Sequence, residues 1–262
     1  SRVIEPGMGF SLLFFSDDET APDGGDKYRL LTEAATFADK HGFEAVWMPE
    51  RHFHSFGGIY PNPAVLAASL ARITQRIRLR AGSVVVPLHS PVEVAENWAM
   101  VDNLSGGRVD LSFAGGWNPN DFVLSPDTFE KRREVLLDRM DVVRRLWRGE
   151  SVQLPNGKGE MVEVSVYPRP LQSELNTWFT AATNPTSFEA GGTHGANILT
   201  MLYSSTMKEL EERIRRYRIC RESYSDGSSG AVTLMLHSFV HQDGDWAREV
   251  IRKPFLGYIR KS

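Results

Sequence analysis

The chain has 262 residues, 41% of them hydrophobic and 24% charged, with a formal net charge of −3 and one cysteine. That length suits one barrel-sized domain or two small ones, and the charge offers no basic surface for nucleic acid or an acidic membrane. Cys220 by itself excludes an intrachain disulfide and a multi-thiolate metal site, so a reducing cytoplasm is the expected location.

The first apolar run, Met8–Phe15, is too short to span a bilayer and lacks a small-residue cleavage pattern. It reads as a strand buried on both faces. An acidic loop, Ser16–Asp26, leads to a helix over Tyr28–His41, where Leu30, Leu31, Ala34, Ala35, Phe37 and Ala38 keep helical spacing and Gly42 supplies the stop. Glu44–Pro49 is a second strand, followed by the loop Glu50–Pro63. Helix Ala64–Thr74, strand Ile77–Val86 and helix Ser90–Asn103 come next. A Ser-Gly-Gly turn closes that helix before the fourth strand, Val109–Ala114, and two glycines then release the polar loop Trp117–Asp121.

Thr128–Trp147 is a long helix. Glu150–Pro170, rich in glycine with a Glu-Val-Ser-Val-Tyr pattern, reads as a β-hairpin or lid laid across the fold. Strand Thr177–Ala182, helix Asn184–Gly191, strand Ala196–Leu202, helix Met207–Arg221, strand Ala231–Val240 and helix Trp246–Tyr258 complete the chain. Such alternation means an α/β fold with a parallel sheet. With no dinucleotide glycine fingerprint after the first strand, a (β/α) barrel is the leading architecture and a doubly wound open sheet the runner-up. A closed barrel needs an eighth strand; none is visible, so the expectation is one domain over residues 1–262 that is C-terminally incomplete.

Parallel α/β folds bind ligands where their strands end. Those positions are Phe15, Ser16, Asp17 and Asp18; Glu50, Arg51, His52, Phe53 and His54; Pro87, Leu88 and His89; Trp117, Asn118, Asn120 and Asp121; Thr183, Asn184, Thr186 and Ser187; Tyr203 and Ser204; and His241. Glu50, His52 and His54 alternate, so in extended chain they share a face and have the residue types of metal ligands, with His89 as the other available partner. Acid–base or substrate-binding use of His52 is the favoured alternative, because imidazole titrates near neutrality; a structural Glu50–Arg51 ion pair with a hydrogen-bonded His52 is the third. Ala182 to Ser187 reads as an anion site, with the hydroxyls of Thr183, Thr186 and Ser187 at a helix start, against ordinary capping by Thr183 or Asn184. Arg108 is a candidate countercharge, against an exposed surface arginine. Trp117 and Asn120 sit in a candidate cofactor or substrate loop. No serine-hydrolase, Walker or His-Glu-x-x-His pattern is present.

Four segments in this order carry a family resemblance: GFEAVWMPERHFHSFG (Gly42–Gly57), RAGSVVVPLHSPVEVAE (Arg80–Glu96), VDNLSGGRVDLSFAGGWNPNDF (Val101–Phe122) and FTAATNPTSF (Phe179–Phe188). Together they resemble the bacterial luciferase-like flavin monooxygenases. The wording of YPNP, WNPNDF, RRLWRGE and YPRP is similar to the branch found with polyketide and nonribosomal peptide assembly lines.

The resemblance implies a TIM barrel that binds reduced FMN from a separate flavin reductase, forms a C4a-peroxide with O2 and inserts one oxygen into a natural-product intermediate, free or tethered to a carrier protein. It also implies a homodimer. Thr183 and Thr186 match the family's hydroxyl contacts to the flavin phosphate, and Arg108 its basic partner. Ser83, Val84 and Val85 match the strand under the isoalloxazine ring, where relatives can carry a non-proline cis peptide. His52 lies in the active-site motif, beside Glu50. Arg51 stands where luciferase has a histidine, which argues against light emission and an aldehyde substrate and for an anionic or carbonyl-bearing one. The rivals are hydride transfer by deazaflavin F420 on the same fold, and flavin binding without turnover. For a tethered substrate, the Glu150–Pro170 excursion is the expected wall of the barrel mouth.

Overall fold

A computed structural model of the chain describes residues 7–16, 18, 26–203 and 205–261. Asp17, Ser204 and most of the acidic loop after the first strand therefore lie outside the described residues. The sheet consists of β1 (Ser11–Leu13), β2 (Ala45–Met48), β3 (Arg78–Val85), β4 (Val109–Ala114), β7 (Thr177–Thr180), β8 (Asn197–Met201) and β9 (Val232–Met235), all parallel and in that order. Between them run α1 (Arg29–Lys40), α2 (Pro63–Ala71), α3 (Pro91–Ser105), α4 (Arg132–Arg148), α5 (Pro185–Thr193) and α6 (Met207–Glu222), and α7 (Gly244–Lys261) follows. Every crossover steps the same way round. A doubly wound sheet would reverse direction midway, so the order is that of a barrel.

Interior contacts show the curl. Trp47 of β2 meets Trp178 of β7 edge to face at 5.5 Å, although two strands separate them in the sheet. Met235 of β9 packs on the same cluster. Ser83 of β3 hydrogen-bonds Thr180 of β7 at 2.7 Å. A flat sheet could bring none of these together. Among the described residues no ladder joins β9 to β1, which is where the expected gap falls. Tyr258 of α7 bridges part of it, touching Phe15 beyond β1 and His237 beyond β9.

Local chemistry explains the element ends. Asn62 caps α2 by accepting from the backbone N–H of Ala64 and Val65, with Pro63 as its first residue. Gly106 ends α3 in the left-handed region. Thr206 and Glu209 form a capping box on α6. All of β2 is buried, as expected of a strand covered on both faces. Each large side chain enclosed here, such as Trp98, Trp147 and Phe188, contributes about 1.5–3 kcal/mol of burial free energy.

The excursion is a hairpin, β5 (Val152–Pro155) paired antiparallel with β6 (Met161–Val164). It does not wall the barrel mouth. The chain leaving it is tied to the opposite end: Arg169 donates to the last carbonyls of α4, Asp102 near the end of α3 accepts from the N–H of Leu171 and Gln172, and Gln172 donates to the Val109 carbonyl at the start of β4. The hairpin follows the C-terminal end of α4, and an outer helix of a βα unit ends where the next strand begins.

Candidate active site

The loop after β2 is the centre of the site. Phe53 holds φ of +51°, the one left-handed non-glycine among the described residues. Such a residue costs on the order of 1 kcal/mol and breaks the alternation of an extended chain. Glu50, His52 and His54 therefore do not share a face. His54 is exposed and accepts the N–H of Phe56. Its expected place beside Glu50 is taken by His89, from the turn after β3.

Both imidazoles address one carboxylate oxygen. His52 Nε2 lies 2.7 Å and His89 Nε2 2.5 Å from Glu50 Oε1. The other oxygen, Oε2, accepts the N–H of Val85 at 2.8 Å. Burial works to raise the Glu50 carboxyl, but the bonds from His52, His89 and Val85, with the charge of His89, outweigh it and hold it below the usual carboxylate range. Burial opposes the charged form of His89, yet the Glu50 bond and charge win and raise the imidazole above its ordinary value. The three ligand-type atoms lie within 4.8 Å of one another, the metal-capable grouping among the described residues, with His89 in place of His54.

Arg51 provides a positive group with spare capacity. Its backbone N–H bonds the Tyr60 carbonyl, its Nε is buried without a partner, and its guanidinium lies 5.3 Å from the centre of the Trp117 ring. No Glu50–Arg51 ion pair forms. Trp117 is 69% exposed. Asn120 is exposed and its N–H bonds Asn118, which in turn donates to Asp121. Burial raises the Asp121 carboxyl, and the nearby His52 and Arg51 only partly offset it. The turn at Gly116 must be glycine: φ is +77°, and a Cβ would sit 2.9 Å from Val85 and 3.0 Å from the Phe122 ring. It brings the β4 loop against the end of β3.

Ser83, Val84 and Val85 are buried at that end. The β3–β4 register shifts by one residue between Ala81 and Val84, a bulge that re-aims the strand. The peptide bonds of Ser83–Val85 are trans; among the described residues the cis bond is Tyr167–Pro168. Ser112 joins Ser83 on the Thr180 hydroxyl, at 2.6 Å. Phe15 packs edge-on to Phe56 at 4.8 Å, the Ser16 carbonyl accepts from Gly57, and the Ser16 hydroxyl lies 3.4 Å from that of Tyr60.

At the end of β7, Ala182 leads into the start of α5. Asn184 caps the helix by accepting the Thr186 N–H, so the capping expectation holds for Asn184. The hydroxyls of Thr183, Thr186 and Ser187 have no hydrogen-bond partner among the described residues, and Thr183 and Thr186 are exposed. Three open hydroxyls at a positive helix end are a donor set that fits a phosphate. Arg108 is not its countercharge. It precedes β4 at the far end of the barrel, 8% exposed, where its guanidinium donates to Ser105, Thr74, Ile77 and Ala71.

Two participants were not singled out by the sequence. His89 stood only as a spare metal partner; β2 and β3 are parallel neighbours, so residues just past their ends meet, and that adjacency was the available signal. Tyr258 packs on Phe15 and, at 4.9 Å, on Phe56, a long-range contact that no spacing in the chain announces.

Among the described residues no helix is long and apolar enough to cross a membrane. The chain is 28% identical over 217 residues to the oxygenase component of a flavin-dependent trigonelline monooxygenase of Acinetobacter baylyi, covering 81% of this chain and 59% of that protein. It is 33% identical over 167 residues to 4-hydroxyprotoasukamycin monooxygenase of Streptomyces nodosus subsp. asukaensis, covering 63% and 44%. The chain thus spans about half the length of these relatives. The crystal structure of monooxygenase RslO1 from Streptomyces bottropensis superposes with a TM-score of 0.81 at 25% identity, over 93% of this chain and 75% of that one. The fold is shared with an FMN complex of the oxygenating constituent of 3,6-diketocamphane monooxygenase from Pseudomonas putida (TM-score 0.75, 15% identity, 96% and 72% covered). It is shared too with an F420-dependent secondary alcohol dehydrogenase (0.66, 19%, 93% and 72%). These neighbours make the sheet that of a TIM barrel, of which the described residues supply seven strands. Since the family described as luciferase-like monooxygenase matches residues 8–261, nearly the whole chain, the chain belongs to the luciferase-like monooxygenase family.

Proposed function

We propose that this chain is the oxygenase part of a two-component, FMN-dependent monooxygenase. The observation that carries the reading is the placement, at one barrel end, of three unpartnered hydroxyls on a helix start and a carboxylate-held pair of imidazoles. Thr183, Thr186 and Ser187, with Asn184 setting the helix start, would hold the phosphate; Ser83–Val85, Phe15, Ser16, Trp117, Asn120 and Ala182 would line the ring. Bound reduced FMN supplies the two electrons that let one atom of O2 enter a substrate. Glu50 fixes His52 so that a proton can be held or released at the imidazole. Arg51, with an unpartnered Nε, orients an anionic or carbonyl-bearing substrate beside Trp117. Phe15, Phe56 and Tyr258 keep water from that side.

The name of the Streptomyces relative supports a natural-product substrate, and the words "oxygenase component" in the Acinetobacter relative support a separate reductase. A carrier-tethered substrate, a homodimer and a cytoplasmic setting complete the proposal. F420 is the second reading, because a neighbour of the same fold uses it. Anaerobic titration with FMN, reduced FMN and F420 separates the readings. Micromolar binding of reduced FMN, followed by reoxidation in O2 slower than that of free reduced FMN, supports the oxygenase. Reoxidation at the free rate supports flavin storage, and binding of F420 alone supports the second reading.

A further inference from the structure

The strongest unexplained feature is the sharing of one carboxylate oxygen by two imidazoles. A structural carboxylate in this place needs donors, and Val85 already supplies one to Oε2. That bond stops the carboxylate turning, so Oε1 is the oxygen left to both rings. Enclosure falls off in sequence: the side chains of Glu50, His52 and His89 are 1%, 10% and 29% exposed. His89 is thus the member that solvent reaches, and His52 the one shut in. The backbone of His89 is held in place, because Arg139 of α4 donates to the carbonyls of Val86, Pro87 and His89.

We propose that His89 is a positioning and proton-relay partner of His52, passing protons between solvent and the enclosed ring through Oε1 of Glu50. This rests on the reading of the barrel mouth as the reacting site. The transfer balances without another reagent. The relaying state is the one in which His52 carries its proton on Nδ1 and leaves Nε2 free to accept: a proton from water binds His89 Nδ1; the His89 Nε2–H bond breaks as an Oε1–H bond forms; that bond breaks as the free His52 Nε2 takes the proton; His52 Nδ1–H then breaks and gives its proton to the reacting group. The reverse order removes a proton.

The charged and titratable groups around the relay are Glu50, Arg51 and His52 of the β2 loop, Glu93 of α3, Asp121 of the β4 loop and Arg139 of α4. Glu93 and Glu50 favour the charged His89 and Arg139 disfavours it.

The first test needs no flavin. In the full chain, exchange of the His52 ring N–H with water is followed by nitrogen-15 NMR. His89→Gln keeps a donor for Glu50 but cannot relay, and it is expected to slow that exchange tenfold or more in a chain that remains folded. Glu50→Gln is expected to lower the titration midpoint of His89 by half a pH unit or more. Exchange at the native rate in His89→Gln overturns the proposal. The second test uses turnover: His89→Gln is expected to lower kcat at least tenfold with KM within twofold, and added imidazole is expected to restore His89→Ala. A slow His89→Ala that imidazole does not restore assigns His89 a purely structural role and overturns the relay. Failure of the chain to bind reduced FMN sinks the functional reading instead, and the exchange experiment still decides the relay.

Discussion

The two ends of the barrel treat charge in opposite ways. At the end where the strands begin, the charges are matched. Asp110 is fully buried and takes Arg78 and, at 2.7 Å, Arg80; Arg80 also reaches Glu44 at 2.6 Å and lies between the rings of Trp47 and Trp178. Arg108 and Asp102 are likewise spent on backbone groups and on Gln172. At the end where the strands finish, groups are left over: an arginine Nε without an acceptor, three open hydroxyls, a largely exposed tryptophan and a strained Phe53. Apart from the Nε of Arg221, buried without a partner at the end of α6, the first end is bound to itself; the other has capacity for a ligand. This is the division that barrel architecture imposes, with stability at one face and chemistry at the other.

The sharpest way to break that division is to unbalance the matched end. Asp110→Ala removes the carboxylate shared by the half-buried Arg78 and the buried Arg80 and is expected to destabilise by about 3–5 kcal/mol, read by urea unfolding. A loss below 1 kcal/mol would mean that the network does not hold the fold. At the other end, His52→Ala is expected to cut turnover about 10²–10⁴-fold, the usual worth of a general acid or base, while reduced-FMN affinity measured by titration stays within threefold. A large loss of FMN binding would assign His52 to the cofactor instead.

Smaller effects separate the ends further. The double change Thr183→Ala, Ser187→Ala is expected to weaken FMN about a hundredfold or more, since hydrogen bonds to a charged group contribute about 1.5–3 kcal/mol each. Arg108→Lys is expected to lower stability and leave FMN affinity unchanged; weakened affinity at native stability would return Arg108 to the phosphate.

The smallest effect is in pH. Glu50 is lowered on folding, so its stabilisation is present above its unfolded value near 4.5 and is lost as pH falls through the folded value. His89 is raised, so its stabilisation is complete below 6.5 and is lost as pH rises through the folded value. The stability difference between the native chain and Glu50→Gln, from urea midpoints, is therefore expected to peak between pH 4.5 and 6.5. A difference that is flat across pH would contradict the Glu50–His89 pairing.

Much of this protein is determined by local patterning. Alternation of apolar runs with helical spacing named the parallel α/β order, the seven strands of the sheet, the hairpin after α4 and the strand ends where Glu50, His52, Trp117 and Thr183 lie, because these depend on periods of two and 3.6 residues and on caps within a few positions. Tertiary structure decided the partners. His89 displaced His54 because a left-handed Phe53 turned the loop and because β3 lies beside β2. Arg108 went to the wrong end for a phosphate because it precedes its strand, and the hairpin followed α4 to that same end. Tyr258 reached Phe15 only through closure of the barrel. A sequence records which groups are available along one dimension; which of them meet is set by strand order and curvature, which join residues far apart in the chain.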